Sequence, residues 1–305
     1  MLTYLIQRLL LVVVVIWGAA TLAFTLLYLS GDPTNLLLPL DAAPEVREAF
    51  RRAQGYDQPL LVQYGRYLGD LLRGDFGTSL RNNQPALRLV LESFPPTLRL
   101  AGLSLLVAVL IAVPAGVIAA NRRGSLAEFS IMTGALLGQA MPVFWLALML
   151  ILVFGLNLRW LPISGSGTWR HYVLPVATLA TFSAASIARL TRGGVLSELR
   201  SDHVRTARAK GMPHRGVLYK HALRNAAIPV VTVIGLQLGT LVSGAIITET
   251  IFAWPGIGRF VLVAVSQRDF PVVQASVVVF AFLLALINLA VDLLYAVLDP
   301  RIRYG

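Results

Sequence analysis

The segment HVRTARAKGMPHRGVLYKHALRNAAIPVV, His203 to Val231, is a basic run that breaks at Gly211, restarts at Pro213 and passes into an apolar stretch. Helix chemistry divides it. Arg200 to Lys210 suits a short helix on which Val204, Ala207 and Ala209 are available for contact. Gly211 supplies the left-handed turn that ends many helices. Proline has no N–H to lose in a first helical turn, so Pro213 suits a new start. The second helix is predicted to reach about Asn225, with Val217, Leu218, His221 and Ala222 along one side and Pro229 marking entry into the apolar stretch. Attraction to anionic headgroups explains the charge of such a loop. It does not explain a helix, a Gly break, a Pro restart and small residues at fixed spacing. Two short helices at an angle suit a knob inserted into a partner's groove.

The surroundings of this loop are oily. Hydrophobic residues make up 56 % of the 305 and charged residues 13 %, about half the share of a soluble domain, so much of the surface must face lipid. The net charge of +11 is then expected from cytoplasmic loops, and nucleic acid is not implied as a partner. The chain has no Cys, which excludes disulfides and thiol chemistry.

A spanning helix needs about 20 apolar residues, and six segments qualify: about 9–29, 100–120, 129–156, 172–188, 226–248 and 272–297. The first is longer than a signal-peptide core and is read as retained. Lys and Arg set the orientation. Arg8, then Arg122 and Arg123, then the basic loop, then Arg301 and Arg303 all fall on one side of a six-span chain. Within 192–225 lie Arg192, Arg200, Arg205, Arg208, Lys210, Arg215, Lys220 and Arg224, opposed by Glu198 and Asp202, or 8 − 2 = +6. Both termini and this loop are therefore expected in the cytoplasm of a multi-pass protein. On the other face, the long first loop has Leu60, Leu61, Tyr64, Tyr67, Leu68, Leu71 and Leu72 at helical spacing, which predicts a small extracytoplasmic cap.

Several chemistries are missing. Neither lysine, Lys210 or Lys220, follows Gly, so there is no G-x-x-x-x-G-K-[ST] phosphate loop. The four histidines form no HExxH pair, and Ser164 to Gly167 reads as a flexible turn. Asp292, one turn after Asn288, is the clearest intramembrane acid and is expected to be structural; Glu249 is placed just past the fifth span, at the interface. No relay of acids crosses the bilayer, which argues against an ion-coupled carrier. No nucleophile–base pair supports an intramembrane enzyme. Gly235, Gly239 and Ser243, and likewise Gly134 and Gly138, predict close helix packing. Gln139, Gln237, Thr240 and Ser243 are candidates for lining a translocation path or gate.

Arg205-Thr206-Ala207-Arg208-Ala209-Lys210-Gly211, followed by His221-Ala222-Leu223-Arg224-Asn225-Ala226 and Pro229, resembles the EAA loop of binding-protein-dependent ABC importer permeases, in the variant of the peptide/nickel branch. The resemblance extends over nearly the whole chain. It takes in Gly31-Asp32-Pro33, Asp57-Gln58-Pro59, Gly74-Asp75-Phe76-Gly77-Thr78-Ser79, Pro96-Thr97-Leu98, Thr248-Glu249-Thr250-Ile251-Phe252, Trp254-Pro255-Gly256-Ile257-Gly258-Arg259 and Asp299-Pro300-Arg301-Ile302-Arg303. Arg205 stands where the general motif has Glu and Thr206 replaces its first Ala, so a salt bridge of that Glu is not carried over. The resemblance implies an all-α polytopic membrane protein of the type I ABC importer permease fold, with six transmembrane helices, both ends inside and an extracytoplasmic loop domain after the first helix. Residues 1–96 would form that helix and loop domain, 97–298 the transmembrane domain with the coupling loop at 192–225, and 299–305 a cytoplasmic tail. Val204 to Pro213, Met212 included, with His221, Arg224 and Asn225, would couple to the ATPases. The implied partners are a second homologous permease subunit, two ABC ATPase subunits that bind ATP and Mg, and a solute-binding protein outside. This subunit would hold no cofactor and no metal. Di- or oligopeptides are the implied substrate, with glutathione or nickel chelates as alternatives, and the implied location is the inner membrane of a prokaryote.

Overall fold

The computed structural model describes residues 2–29, 34, 38 and 43–298. The motifs at 31–33 and 299–303, and the predicted tail, lie outside them. Among the described residues the chain is helical, with one isolated bridge between Thr78 and Pro85. The elements are α1 (Leu2–Leu29), α2 (Pro44–Gln54), α3 (Leu60–Leu72), α4 (Ala86–Asn121), α5 (Leu126–Ala140), α6 (Val143–Leu150, continued by a π-helical Ile151–Asn157) and α7 (Arg170–Glu198). There follow α8 (Asp202–Ala209), α9 (His214–Gly216), a π-helical Val217–Leu223, α10 (Arg224–Ile251), α11 (Ile257–Ser266) and α12 (Phe270–Leu298).

Among the described residues five helices are long and apolar enough to cross a membrane. The third expected span is not one helix: α5 and α6 meet at a 105° bend. The cause is local. Proline disfavours a helical conformation in the residue before it, and Met141, preceding Pro142, is extended at φ −75° and ψ 128°. Hydropathy alone reads through this break because both halves are apolar.

Loop contacts agree with an even number of crossings. Ser79, after the first span, donates its hydroxyl to Asp269 at 2.5 Å, just before the last, and Arg81 reaches the Gln267 carbonyl. These two loops therefore lie together. Between them come α4, the bent pair, α7 and the run His214–Ile251, and with the bent pair counted as one span the described residues hold up to six apolar spans, the number expected from the sequence. Ser79 itself is buried, so a labelling probe belongs on its exposed neighbour Asn82. In the otherwise thiol-free chain, Asn82→Cys is expected to react with a membrane-impermeant maleimide in intact cells; labelling confined to inverted vesicles would reverse this topology.

The chain divides into two compact units, Met1–Pro95 with Gly256–Leu286, and Pro96–Pro255 with Ile287–Gly305. In the first, Ala86, Val90 and Phe94 of α4 pack with Ile257 and Ala264 of α11 and Val272 and Ala275 of α12. The α3 helix leans on α1 through aromatic rings: Tyr64 bonds Thr21 at 2.6 Å, and Phe24 lies 5.2 Å from Tyr64 and 5.5 Å from Tyr67. Burial, with Tyr64 beside it, pushes the Tyr67 phenol above its usual range. The predicted apolar stripe is only partly used. Leu61 and Leu72 stay 84 % and 91 % exposed, because they flank the line of Tyr64, Tyr67 and Leu71.

In the second unit, Ala108 and Ala112 of α4 meet Ala180, Ile187 and Ala188 of α7 and Val230 of α10. Small residues set these distances. A Cβ at Gly116 would lie 2.6 Å from the Ala188 carbonyl, one at Gly138 2.8 Å from Thr181, and one at Gly235 2.7 Å from Val291. Gly138 and Gly235 thus pack as expected, while a Cβ at Gly134 would meet nothing within 4 Å and Ser243 is exposed. Helix α7 runs past its expected end at 188 to Glu198. Of the charges this adds, Arg192 is compensated, since it donates Nε to Glu128 of α5 at 2.7 Å.

Candidate functional site

The basic segment is built as a rigid hairpin. Helix α8 begins after Ser201, whose carbonyl accepts from the Arg205 N–H at 3.1 Å. It ends in a Schellman motif: Met212 N–H bonds the Ala207 carbonyl at 3.2 Å, Gly211 N–H bonds the Arg208 carbonyl at 2.9 Å, and Gly211 sits at φ +76°. The apolar contact that accompanies such a motif is present between Met212 and Ala207, which cluster with Val204, Val217 and Leu199. Pro213 is extended and stands just before the first helical residue, His214, one position earlier than the sequence suggested.

The expected second short helix is not separate. His214 to Ile251 is continuous and contains Pro229, so the outer arm of the hairpin is the start of the fifth span. Leu218, Ala222 and Ala226 pack with Val117 and Ala120 of α4 and Val195 of α7. His214 bonds Asn121 at 2.5 Å. His203 lies 3.2 Å from Asn225 and 3.5 Å from Glu198. The hairpin is thus bound to the ends of α4 and α7 and continuous with α10.

Packing and exposure separate the predicted residues. Val204 and Ala207 are buried inside the chain and hold α8 down; Ala207 is not free for a partner. Arg205, Thr206, Arg208, Ala209, Lys210, Gly211, Pro213, Arg224 and Asn225 are exposed, Met212 and His221 half-buried. Arg205 reaches Asp202 at 3.5 Å with both side chains mostly in solvent, a pairing too screened to matter much. The outer surface is therefore basic, with Ala209 and Gly211 as its low points.

The four path candidates do not form a cluster. Gln237 is buried, Thr240 and Ser243 are exposed on another face of α10, and Gln139 of α5 is half-buried with its Oε1 unbonded. None bonds to another among the described residues.

Sequence reasoning missed a second construction. Glu249, at the end of the fifth span, is fully buried in the last turn of α10 and accepts from Thr97. Trp254, 1 % exposed, donates its indole N–H to the Pro96 carbonyl at 3.1 Å and its backbone N–H to Glu249 O at 2.8 Å. Its ring meets Tyr172 edge-on at 4.5 Å, and Phe252 O accepts from Gly165 N–H at 2.8 Å. The signal was present in the run Thr248 to Arg259, where Trp254-Pro255-Gly256 ends the apolar span. Asp292 is half-buried; Arg301 and Arg303, its expected partners, lie outside the described residues. Among the described residues no group of three or more potential ligands is placed to hold a metal ion.

Comparison with known proteins agrees with this geometry. Residues 112–304 match the family of binding-protein-dependent transport system inner membrane components, and residues 1–101 match the N-terminal family of such membrane components. A dipeptide transport system permease protein of Alkalihalophilus pseudofirmus is 42 % identical, with all of both chains covered. A glutathione transport system permease protein of Escherichia coli strain K12 is 43 % identical, again over all of both. Among solved structures, an amino acid ABC transporter superposes with a TM-score of 0.57 at 16 % identity, over 68 % of this chain and 93 % of that one. The inward-facing MetNI methionine ABC transporter gives 0.56 at 17 % identity, over 69 % and 96 %. These share the fold of an ABC importer permease, a multi-pass inner-membrane protein of prokaryotes. The chain, with its basic hairpin clamped to three helix ends, belongs to the family of binding-protein-dependent transport system inner membrane components.

Proposed function

We propose that this permease subunit passes short peptides inward across the cytoplasmic membrane, with ATP hydrolysed by two partner ATPases and the peptide delivered by a solute-binding protein. The observation that carries this reading is the exposed basic hairpin of residues 202–225, fixed at its base and free at its tip. It offers Arg205, Arg208 and Lys210 to acidic groups of an ATPase, with His221, Arg224 and Asn225 at its root. A second permease completes the pathway, and Gln139, Gln237, Thr240 and Ser243 are proposed to face or gate it. Residues 1–96 carry the extracytoplasmic part, 97–298 the translocating part and 299–305 the tail. The chain has no phosphate loop, which is why ATP and Mg are assigned to the partners and no catalysis to this subunit.

The relatives support peptides as the solute. One is a dipeptide permease and another a glutathione permease. Glutathione is itself a small peptide, so it is the second reading. The test is uptake by proteoliposomes containing the complete transporter. Dipeptide accumulation requiring both internal ATP and the binding protein is expected, with glutathione competing weakly. Uptake of glutathione alone would select the second reading. Uptake driven by a proton gradient without ATP would overturn both.

A further inference from the structure

The geometry points to a bound anionic phospholipid of the inner leaflet, seated between the third and fourth spans. Two adjoining hollows on α5 and α7 carry it. The first, about 570 Å³, lies where α5 begins and α7 ends, and includes Ser125, Glu128, Phe129, Arg189 and Arg192. The second, about 340 Å³, continues along the same two helices with α4 as a third wall, and is lined by apolar and small groups such as Ile111, Ala112, Ile131, Gly134, Thr181 and Ala184.

The charge of the first hollow is unbalanced. Glu128 is saturated, since it takes Arg192 and also accepts from the Gly124 N–H at 2.5 Å. Arg189 has no acidic partner among the described residues and is exposed. Two arginines thus face one carboxylate, leaving a positive charge at the height where headgroups of the inner leaflet lie. Basic pockets between spans on this side are where anionic headgroups bind. Phe129, 67 % exposed beside it, belongs at that depth as an apolar wedge.

Together the two hollows have the length of one leaflet, since their lining on the third span runs from Gly124 to Ala135. The second is open at Gly134, where an added Cβ would touch nothing within 4 Å, and one turn beyond it, at Gly138, the helices are in contact, since a Cβ there would lie 2.8 Å from Thr181. From Glu128 to Gly138 the helix rises about 15 Å, half of a hydrocarbon core of about 30 Å. An acyl chain whose headgroup phosphate sits against Arg189 would therefore end where the helices come into contact. The phosphate explains the basic end, and the chain explains the empty apolar one. This inference does not depend on the solute transported.

The test uses native mass spectrometry of the whole transporter purified from vesicles with equal phosphatidylglycerol and phosphatidylcholine. The wild type is expected to retain phosphatidylglycerol selectively. Arg189→Gln, at an exposed position, should cut that preference about fivefold, the effect of one basic side chain near an anionic surface. Gly134→Leu, which fills open space, should lose the adduct for either headgroup. Unchanged selectivity in Arg189→Gln would overturn the proposal even if Gly134→Leu failed to assemble. So would a disulfide from Thr133→Cys to a cysteine on the second permease, because the hollow would then belong to a protein interface.

Discussion

Gly211→Asp is expected to cut ATP-driven uptake roughly tenfold or more while the permease reaches the membrane at its normal level. Two effects combine. Gly211 holds φ +76° in the Schellman turn, and a Cβ in that conformation costs roughly 1 kcal/mol. No neighbour adds a clash, since nothing lies within 4 Å of the built Cβ. The larger effect is electrostatic. A carboxylate would appear at the low point between Arg208, Lys210 and Arg215, on the surface proposed to meet acidic groups of an ATPase. The first effect is shared by Gly211→Ala and the second is not. Uptake and co-purified ATPase should therefore fall roughly tenfold or more in the Asp variant, equivalent to about 1.4 kcal/mol, and only a few-fold in the Ala variant. Equal and normal association in both would make this hairpin a lipid-facing basic patch.

The sequence was most informative where one local rule acts alone. Gly211 and Pro213 mark the turn because their backbone preferences are intrinsic, and apolar length located each crossing. It was less informative where the outcome depends on a distant partner. Helix α7 reads as ending at 188 because Arg189 and Arg192 follow, and Arg192 looks like a loop residue until Glu128, 64 positions away, is placed beside it. Ala207 reads as a contact residue, and only the folding back of Val217 buries it. The break at Met141 and Pro142 was legible in principle, but hydropathy outweighs one proline inside a long apolar run. Glu249 reads as an interfacial carboxylate because Thr97 is 152 residues distant. The contact of Ser79 with Asp269, 190 residues away, is likewise contained in no local pattern.

Trp254→Ala should cause the largest loss of stability. The side chain is almost fully buried, and truncating a buried Trp costs about 3–5 kcal/mol through lost burial and the cavity left behind. It also removes the edge-on contact with Tyr172 and the indole bond to the Pro96 carbonyl. Trp254→Phe keeps an aromatic ring against Tyr172 and loses chiefly the hydrogen bond, so its cost should be nearer 1–2 kcal/mol. In the purified transporter, thermal unfolding of the Ala variant is expected roughly 5–10 °C below wild type, with the Phe variant between them. An unchanged midpoint for Trp254→Ala would mean that this buried contact is not made in the membrane. The two lesions are separable because they sit at opposite ends of one helix. Helix α10 runs 28 residues from the root of the basic hairpin to the turn before Trp254, about 40 Å. Trp254→Ala should lower stability while the surviving protein still binds its ATPases, and Gly211→Asp should leave the unfolding midpoint nearly unchanged while that binding is lost. A drop in both properties in both variants would show that the hairpin and the Trp254 contact unfold together, and the hairpin would then have no independent part in coupling.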